Sequence, residues 1–99
     1  MKVDILAIGI HPDDVELSAA GTLLKHAAMG RTFGMLDLSH GELGTRGTAE
    51  IRLAEAQDSA KILGSAFRHQ LDIADGLFVH TPETWLKIVA EIRDCRPDI

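Results

Sequence analysis

Strand-like runs alternate with stretches of helical spacing along this chain, and this alternation constrains its fold more than any other feature. Residues 3–10 are rich in Val, Ile and Leu without strict alternation, as is typical of a strand buried on both faces of a parallel sheet. Further strands are predicted at 32–38 and 66–72. Helices are predicted between and after the strands: from Val15 to a stop at Gly30, from a cap at Thr48 to Gly64, and from a cap at Thr81 with Pro82 at the first helical position. The order β-α-β-α-β-α predicts an α/β fold, a Rossmann-like three-layer sandwich with a parallel sheet built from three βα units.

Apolar residues at helical spacing predict the side of each helix that packs on the sheet. They are Ala20, Leu23, Leu24 and Ala27 in the first helix, Leu53, Ala56, Ala60 and Leu63 in the second, and Trp85, Ile88, Val89 and Ile92 in the third. We expect these side chains to form the core.

The last residues predict that the sheet continues. Residues 96–98, Arg-Pro-Asp, begin a loop of the kind that leads from a helix to a strand, and Ile99 would be the first residue of that strand. We therefore expect residues 1–99 to be the N-terminal portion of a single larger domain. An exposed parallel sheet edge favours association, so a homo-oligomer is also expected.

Composition excludes several classes of protein. The chain has 99 residues, 45% of them hydrophobic and 25% charged, with a net charge of −5, which does not fit a general nucleic-acid binder. Its longest apolar run, Ile5–Ile10, is too short to cross a membrane. The one cysteine, Cys95, cannot form an internal disulfide, which favours a cytoplasmic protein.

The segment His11-Pro12-Asp13-Asp14 follows the first strand directly and precedes the first helix. In open α/β sheets, ligands bind at the carboxyl ends of the strands. His11 and Asp14 are three residues apart across a tight turn, so both side chains can reach one point, and imidazole and carboxylate are zinc ligands. Asp13 points elsewhere and could act as a base on a metal-activated water. The residues alone leave an alternative open, in which Asp13 or Asp14 only caps the helix.

Two blocks of sequence carry a resemblance to a known family. Residues Ala7–Glu16, AIGIHPDDVE, resemble the signature of the LmbE-like (PIG-L) zinc-dependent N-deacetylases. Residues Gly41–Arg52, GELGTRGTAEIR, with Glu55-Ala56 and Ile62–Gly64 after them, are most similar to the branch that deacetylates N-acetylglucosaminyl malate in bacillithiol biosynthesis. The resemblance covers essentially the whole chain.

The resemblance implies a role for each matching residue. His11 and Asp14 would bind Zn²⁺, and Asp13 would be the general base. Arg52 and Arg46 would lie on the substrate side and help to hold a polar sugar conjugate.

The resemblance further implies that Glu16 supports the ligands without touching the metal. The family's third zinc ligand is a histidine that would lie beyond Ile99, so the 99 residues alone are expected to bind zinc weakly and to lack normal activity. For the full-length relative, the implied reaction is zinc-dependent hydrolysis of the N-acetyl group of a small N-acetylglucosaminyl substrate.

Two other functions remain open on the sequence. Gly41, Gly44 and Gly47 resemble a phosphate-binding loop, although their spacing and position differ from the dinucleotide-binding motif. Alternatively, the chain is a non-catalytic α/β interaction domain whose acidic helix start is only a cap. The remaining histidines are interpreted as surface, loop or capping residues: His26, His40, His69 and His80.

Overall fold

The computed structural model of the chain describes residues 1–41, 48–73 and 79–99. The elements are β1 (Ile5–Gly9), α1 (Asp14–Ala28), β2 (Phe33–Asp37), α2 (Ala49–Leu63), β3 (Arg68–Gln70) and α3 (Pro82–Cys95). Their order is the predicted one, and the strands are shorter than the predicted runs. Three predicted residues, Gly44, Arg46 and Gly47, lie outside the described ranges.

The predicted helix boundaries follow from local chemistry. The Thr48 hydroxyl accepts a hydrogen bond from the Ile51 amide at 3.2 Å, and α2 ends at Gly64, whose φ of +80° suits glycine. The Thr81 hydroxyl likewise accepts from the Thr84 amide at 3.2 Å at the start of α3. Each cap satisfies a backbone donor that the helix leaves unpaired.

The strands form a parallel sheet in the order β1-β2-β3. On the other edge of β1, the Leu6 amide donates to the Ile99 carbonyl at 2.9 Å and the Asp98 amide donates to the Asp4 carbonyl at 3.0 Å. Residues 98–99 thus hydrogen-bond to the edge of β1 that lies opposite β2. β1 therefore lies between β2 and residues 98–99. In open α/β sheets, ligands bind beside the carboxyl ends of the strands.

Helices cover both faces of the sheet. One cluster of buried side chains, including Phe33 and Met35, packs against α1 and α2. A second cluster, including Leu36 and Leu38, packs against Ile88 of α3. Because successive strand residues point to opposite faces, these clusters define the three layers of the predicted α/β fold. Among the described residues, no helix is long and apolar enough to cross a membrane.

The predicted core faces of the helices are only partly correct. In α3, Trp85 is 50% exposed, and the buried residues of the helix are Thr84 and Cys95. Leu24 of α1 and Leu53 of α2 are also nearly half exposed. The physical reason is the small sheet, because three short strands cannot cover the full width of three helices.

Candidate active site

The His11–Asp14 turn is held by the carboxylate that ends it. Asp14 Oδ2 accepts hydrogen bonds from the Ile10 amide at 3.1 Å and from the His11 amide at 2.9 Å. Gly9 makes this close approach possible, since a Cβ there would lie 2.9 Å from Asp14 Cβ. The end of β1 is thereby fastened to the first residue of α1.

His11 and Asp14 converge as the sequence predicts. His11 Nδ1 lies 3.7 Å from Asp14 Oδ2, and both side chains are a little over two-fifths exposed. In a tetrahedral zinc site, a nitrogen and an oxygen ligand lie about 3.4 Å apart. A carboxylate also has enough lone pairs to accept two amide hydrogen bonds and bind a metal. The two residues therefore fit zinc by donor type and by separation.

These two side chains supply only part of a ligand set. Within residues 1–41, 48–73 and 79–99, no group of three His, Cys, Asp or Glu side chains is arranged to hold a metal ion. A catalytic zinc site commonly has three protein ligands and a water. A zinc site built on His11 and Asp14 would need a further ligand from outside the described residues.

The side chain of Asp13 does not cap helix α1, as the capping alternative would require. Asp13 occupies the N-cap position of α1, but its side chain makes no capping hydrogen bond and the residue is exposed. The carboxylate of Asp14 points back to the strand rather than into the first turn of the helix. The capping interpretation is therefore wrong for both carboxylates, and the turn keeps an exposed carboxylate beside the converging pair.

Arg68, a buried arginine that the sequence analysis did not single out, donates a hydrogen bond to the turn. Arg68 of β3 has no exposed side-chain surface, and its guanidinium donates to Asp37 Oδ2 at 2.7 Å and Oδ1 at 2.9 Å. It also donates to Glu16 Oε2 at 2.7 Å and Oε1 at 3.2 Å. One further bond runs to the carbonyl of Pro12, inside the turn. Arg68 thus connects the turn to β2, β3 and α1.

The electrostatics of this cluster favour the charged forms. Burial on its own would lower the pKa of Arg68, but its hydrogen bonds and charge interactions with Asp37 and Glu16 raise that pKa above the usual value. Burial likewise opposes ionisation of Glu16, yet hydrogen bonds from Arg68 and Ser59 bring the Glu16 pKa below its usual value. Glu16 is linked to the turn by hydrogen bonds that run through Arg68.

The end of β2 makes a second connection to the turn. The buried Ser39 hydroxyl donates to the Ile10 carbonyl at 2.9 Å, directly before His11. Gly41 has a φ of +68°, and a Cβ there would lie 3.2 Å from Pro12 Cδ and 3.9 Å from Arg52 Nε. Arg52, predicted on the substrate side, is thus brought next to the turn, whereas Arg46 lies outside the described ranges.

Sequence reasoning missed Arg68, Asp37 and Ser39, although a signal was present. Asp37 and Arg68 fall within the predicted strands at 32–38 and 66–72 of a parallel sheet that helices cover, and a charged residue that is buried in such a sheet needs a partner. The exposed histidines behave as predicted, with His69 paired to Glu91 at 2.9 Å and His40 and His80 on the surface. His26 is half-buried and contacts Arg31 at 2.9 Å.

An open groove of about 510 Å³ lies beside the buried cluster, next to the ends of β2 and β3. Six of its seven lining residues carry polar or charged side chains: His40, Leu53, Gln57, Arg68, His69, Gln70 and Glu91. It is large enough to admit a ligand of sugar size and offers side-chain hydrogen-bonding groups to it.

Fold and site together define the class of protein. It is a Rossmann-like α/β protein in which a histidine and an aspartate converge at the carboxyl end of the first strand of a parallel sheet. Residues 6–99 match the sequence profile described as PIG-L: GlcNAc-PI de-N-acetylase, and the chain belongs to this family.

Three known proteins illustrate the family relationship. The chain is 38% identical over 71 residues to YaiS of Escherichia coli (strain K12), an uncharacterized deacetylase, and the match covers 72% of this chain and 38% of YaiS. The conserved protein TT1542 from Thermus thermophilus superposes with a TM-score of 0.90 at 42% identity, over 96% of this chain and 43% of that protein. For N,N'-diacetylchitobiose deacetylase from Pyrococcus horikoshii, the TM-score is 0.83 at 27% identity, over 91% of this chain and 36% of the enzyme. These structures confirm the predicted α/β fold, and the chain spans about two-fifths of its relatives' length.

Proposed function

We propose that the protein containing this chain is a zinc-dependent N-deacetylase of N-acetylglucosaminyl conjugates. The observation that carries the proposal is the 3.7 Å approach of His11 Nδ1 to Asp14 Oδ2 at the end of β1. Family membership supports it, since the matching profile is described as a de-N-acetylase and one related structure is a deacetylase of N,N'-diacetylchitobiose.

Each site residue has a defined part in the proposed reaction. His11 and Asp14 would hold Zn²⁺ together with a ligand from outside the described residues. A zinc ion bound there would supply Lewis-acid activation of the acetyl carbonyl and of a water. Asp13 accepts the proton of the attacking water and returns it to the departing nitrogen. The amide C–N bond breaks, and acetate and a free amine leave.

Substrate binding is assigned to two arginines. Arg52, whose Nε is near Gly41, and Arg46, which lies outside the described residues, would each offer a cationic donor to a polar or anionic conjugate. We take N-acetylglucosaminyl malate, a bacillithiol precursor, as the specific substrate, because the block Gly41–Arg52 is most similar to that branch. A cytoplasmic location and a homo-oligomeric state stay predictions.

The test is to measure acetate release and zinc content on the full-length protein. N-acetylglucosaminyl malate should release acetate faster than N,N'-diacetylchitobiose, and the protein should hold about one zinc per chain. His11→Ala should lose both the metal and the activity. Normal acetate release by a His11→Ala protein without zinc would contradict the proposal, and a preference for diacetylchitobiose would contradict only the substrate.

A further inference from the structure

The carbonyl of Pro12 is the point at which the buried cluster meets the turn. Arg68 Nη2 donates a hydrogen bond to this oxygen. The peptide unit that contains it joins Pro12 to Asp13, and it lies between His11 and Asp14 in the chain. One bond therefore fixes the plane of the peptide that separates the two proposed ligands and precedes the proposed base.

The arginine that makes this bond is itself held on every side. Besides Pro12, its five N–H groups have acceptors in Asp37, in Glu16 and in the Ala56 carbonyl, which Nη1 reaches at 3.1 Å. Because neither Arg68 nor Asp37 has exposed side-chain surface, moving the guanidinium would leave a buried charge without its partner. The donor aimed at Pro12 is rigid as a result.

The planar shape of the guanidinium is what allows this arrangement. Nε and Nη2 donate hydrogen bonds to the two carboxylate oxygens of Asp37. Nη2 also donates to the Pro12 carbonyl, and Nη1 donates to Glu16. A lysine has a single ammonium group in place of the five planar N–H donors of arginine. It therefore cannot bind Asp37, Glu16 and Pro12 in the same geometry.

We infer that Arg68 is a positioning residue for the metal-binding turn, and that it orients His11, Asp13 and Asp14 through the Pro12 carbonyl. This inference rests on the proposed function, since it assigns Arg68 to the same site. Partners that orient metal ligands in this way commonly change metal affinity by about 10–100-fold when they are replaced.

The test compares Arg68→Lys with a core variant of similar cost to the fold. Leu23→Ala is the matched control, since Leu23 is 2% exposed in α1 and belongs to the core cluster, not to the turn. Zinc affinity is measured by competition with a chromophoric chelator on the full-length protein, at a temperature at which thermal melts show each variant folded. Arg68→Lys should bind zinc about 10–100-fold more weakly than wild type. Leu23→Ala should melt earlier and bind zinc as wild type does.

Each outcome decides one of the two assignments. A folded Arg68→Lys protein with wild-type zinc affinity and wild-type kcat overturns the positioning role and leaves the proposed function intact. A wild-type protein that binds no zinc, or a His11→Ala variant that keeps its zinc, overturns the proposed function instead. If Arg68→Lys does not fold, Glu16→Gln is measured instead. This variant keeps the ion pair between Arg68 and Asp37 and weakens the interaction of Arg68 with residue 16. A weaker but clear loss of zinc affinity is then expected, and unchanged affinity overturns the role.

Discussion

Asp37 and Arg68 form a bidentate ion pair between neighbouring strands, with Nε–Oδ2 and Nη2–Oδ1 distances of 2.7 and 2.9 Å. Neither side chain is exposed, and Gln70 adds a hydrogen bond to Asp37 Oδ2 at 3.1 Å. The pair ties β2 to β3 directly below the turn that carries the proposed metal ligands. The same buried cluster therefore joins two strands of the sheet and contacts the turn that carries the proposed ligands.

Breaking this pair should remove a large part of the stability of a small domain. Asp37→Ala removes the fully buried carboxylate partner of Arg68 and leaves only the partly exposed Glu16 to balance the buried guanidinium, so we expect the free energy of unfolding to fall by about 3–5 kcal/mol. Urea titration followed by circular dichroism measures the change. Asp72→Asn is the control, since the exposed ion pair of Asp72 with Lys87 should contribute little. Equal effects of the two substitutions would contradict the structural assignment of the buried pair.

The two neighbouring aspartates of the turn should fail in different ways. Asp13→Ala should keep zinc and lose turnover by about 100- to 10,000-fold, because it removes the proposed base without touching a ligand. Asp14→Ala should lose zinc, and the turn should loosen as the amides of Ile10 and His11 lose their acceptor. Zinc content and kcat are measured together on each variant. Loss of zinc from Asp13→Ala with an unchanged residual rate would show that the base is assigned wrongly.

The local parts of this molecule could be predicted from the sequence, and the reason is physical. The turn from His11 to Asp14 depends on residues three apart, and the caps at Thr48 and Thr81 each satisfy an amide three residues on. Interactions of this range are fixed by chain geometry, so spacing alone reveals them.

The long-range parts could not be predicted from spacing. Arg68 lies 52 residues from Glu16 and 31 from Asp37, and only the folded sheet brings the three together. Helical periodicity identified an apolar face on α3, but it cannot tell which part of that face has a partner. Trp85, predicted in the core, is half exposed for this reason.

Acid should weaken the attachment of Asp4 to Thr32 at the start of β2. The Asp4 carboxylate accepts from the Thr32 amide at 2.8 Å, and this hydrogen bond holds the Asp4 pKa below its usual value of 3.8. A group whose pKa is lowered on folding stabilises the fold above its unfolded pKa, and this contribution is lost as the pH falls through the folded pKa. Below about pH 4, wild type should therefore lose stability more steeply than Asp4→Asn. Urea titrations of both proteins from pH 7 to pH 2 test this, and equal slopes for wild type and Asp4→Asn would contradict the prediction.

Two glycines, one at the end of β1 and one inside α1, should respond in opposite directions to the same substitution. At Gly9, an added Cβ would lie 2.9 Å from Asp14 Cβ and 3.3 Å from Val15 Cγ2, so Gly9→Ala has to push β1 away from the start of α1. Both the free energy of unfolding and the zinc affinity should fall, since the carboxylate of Asp14 loses its position beside His11. At Gly21, inside α1, a Cβ meets nothing within 4 Å, and Gly21→Ala should raise stability by about 1 kcal/mol through helix propensity alone. Chemical denaturation and chelator competition on both variants check the pair, and a Gly9→Ala protein with wild-type zinc affinity would show that the turn tolerates the displacement.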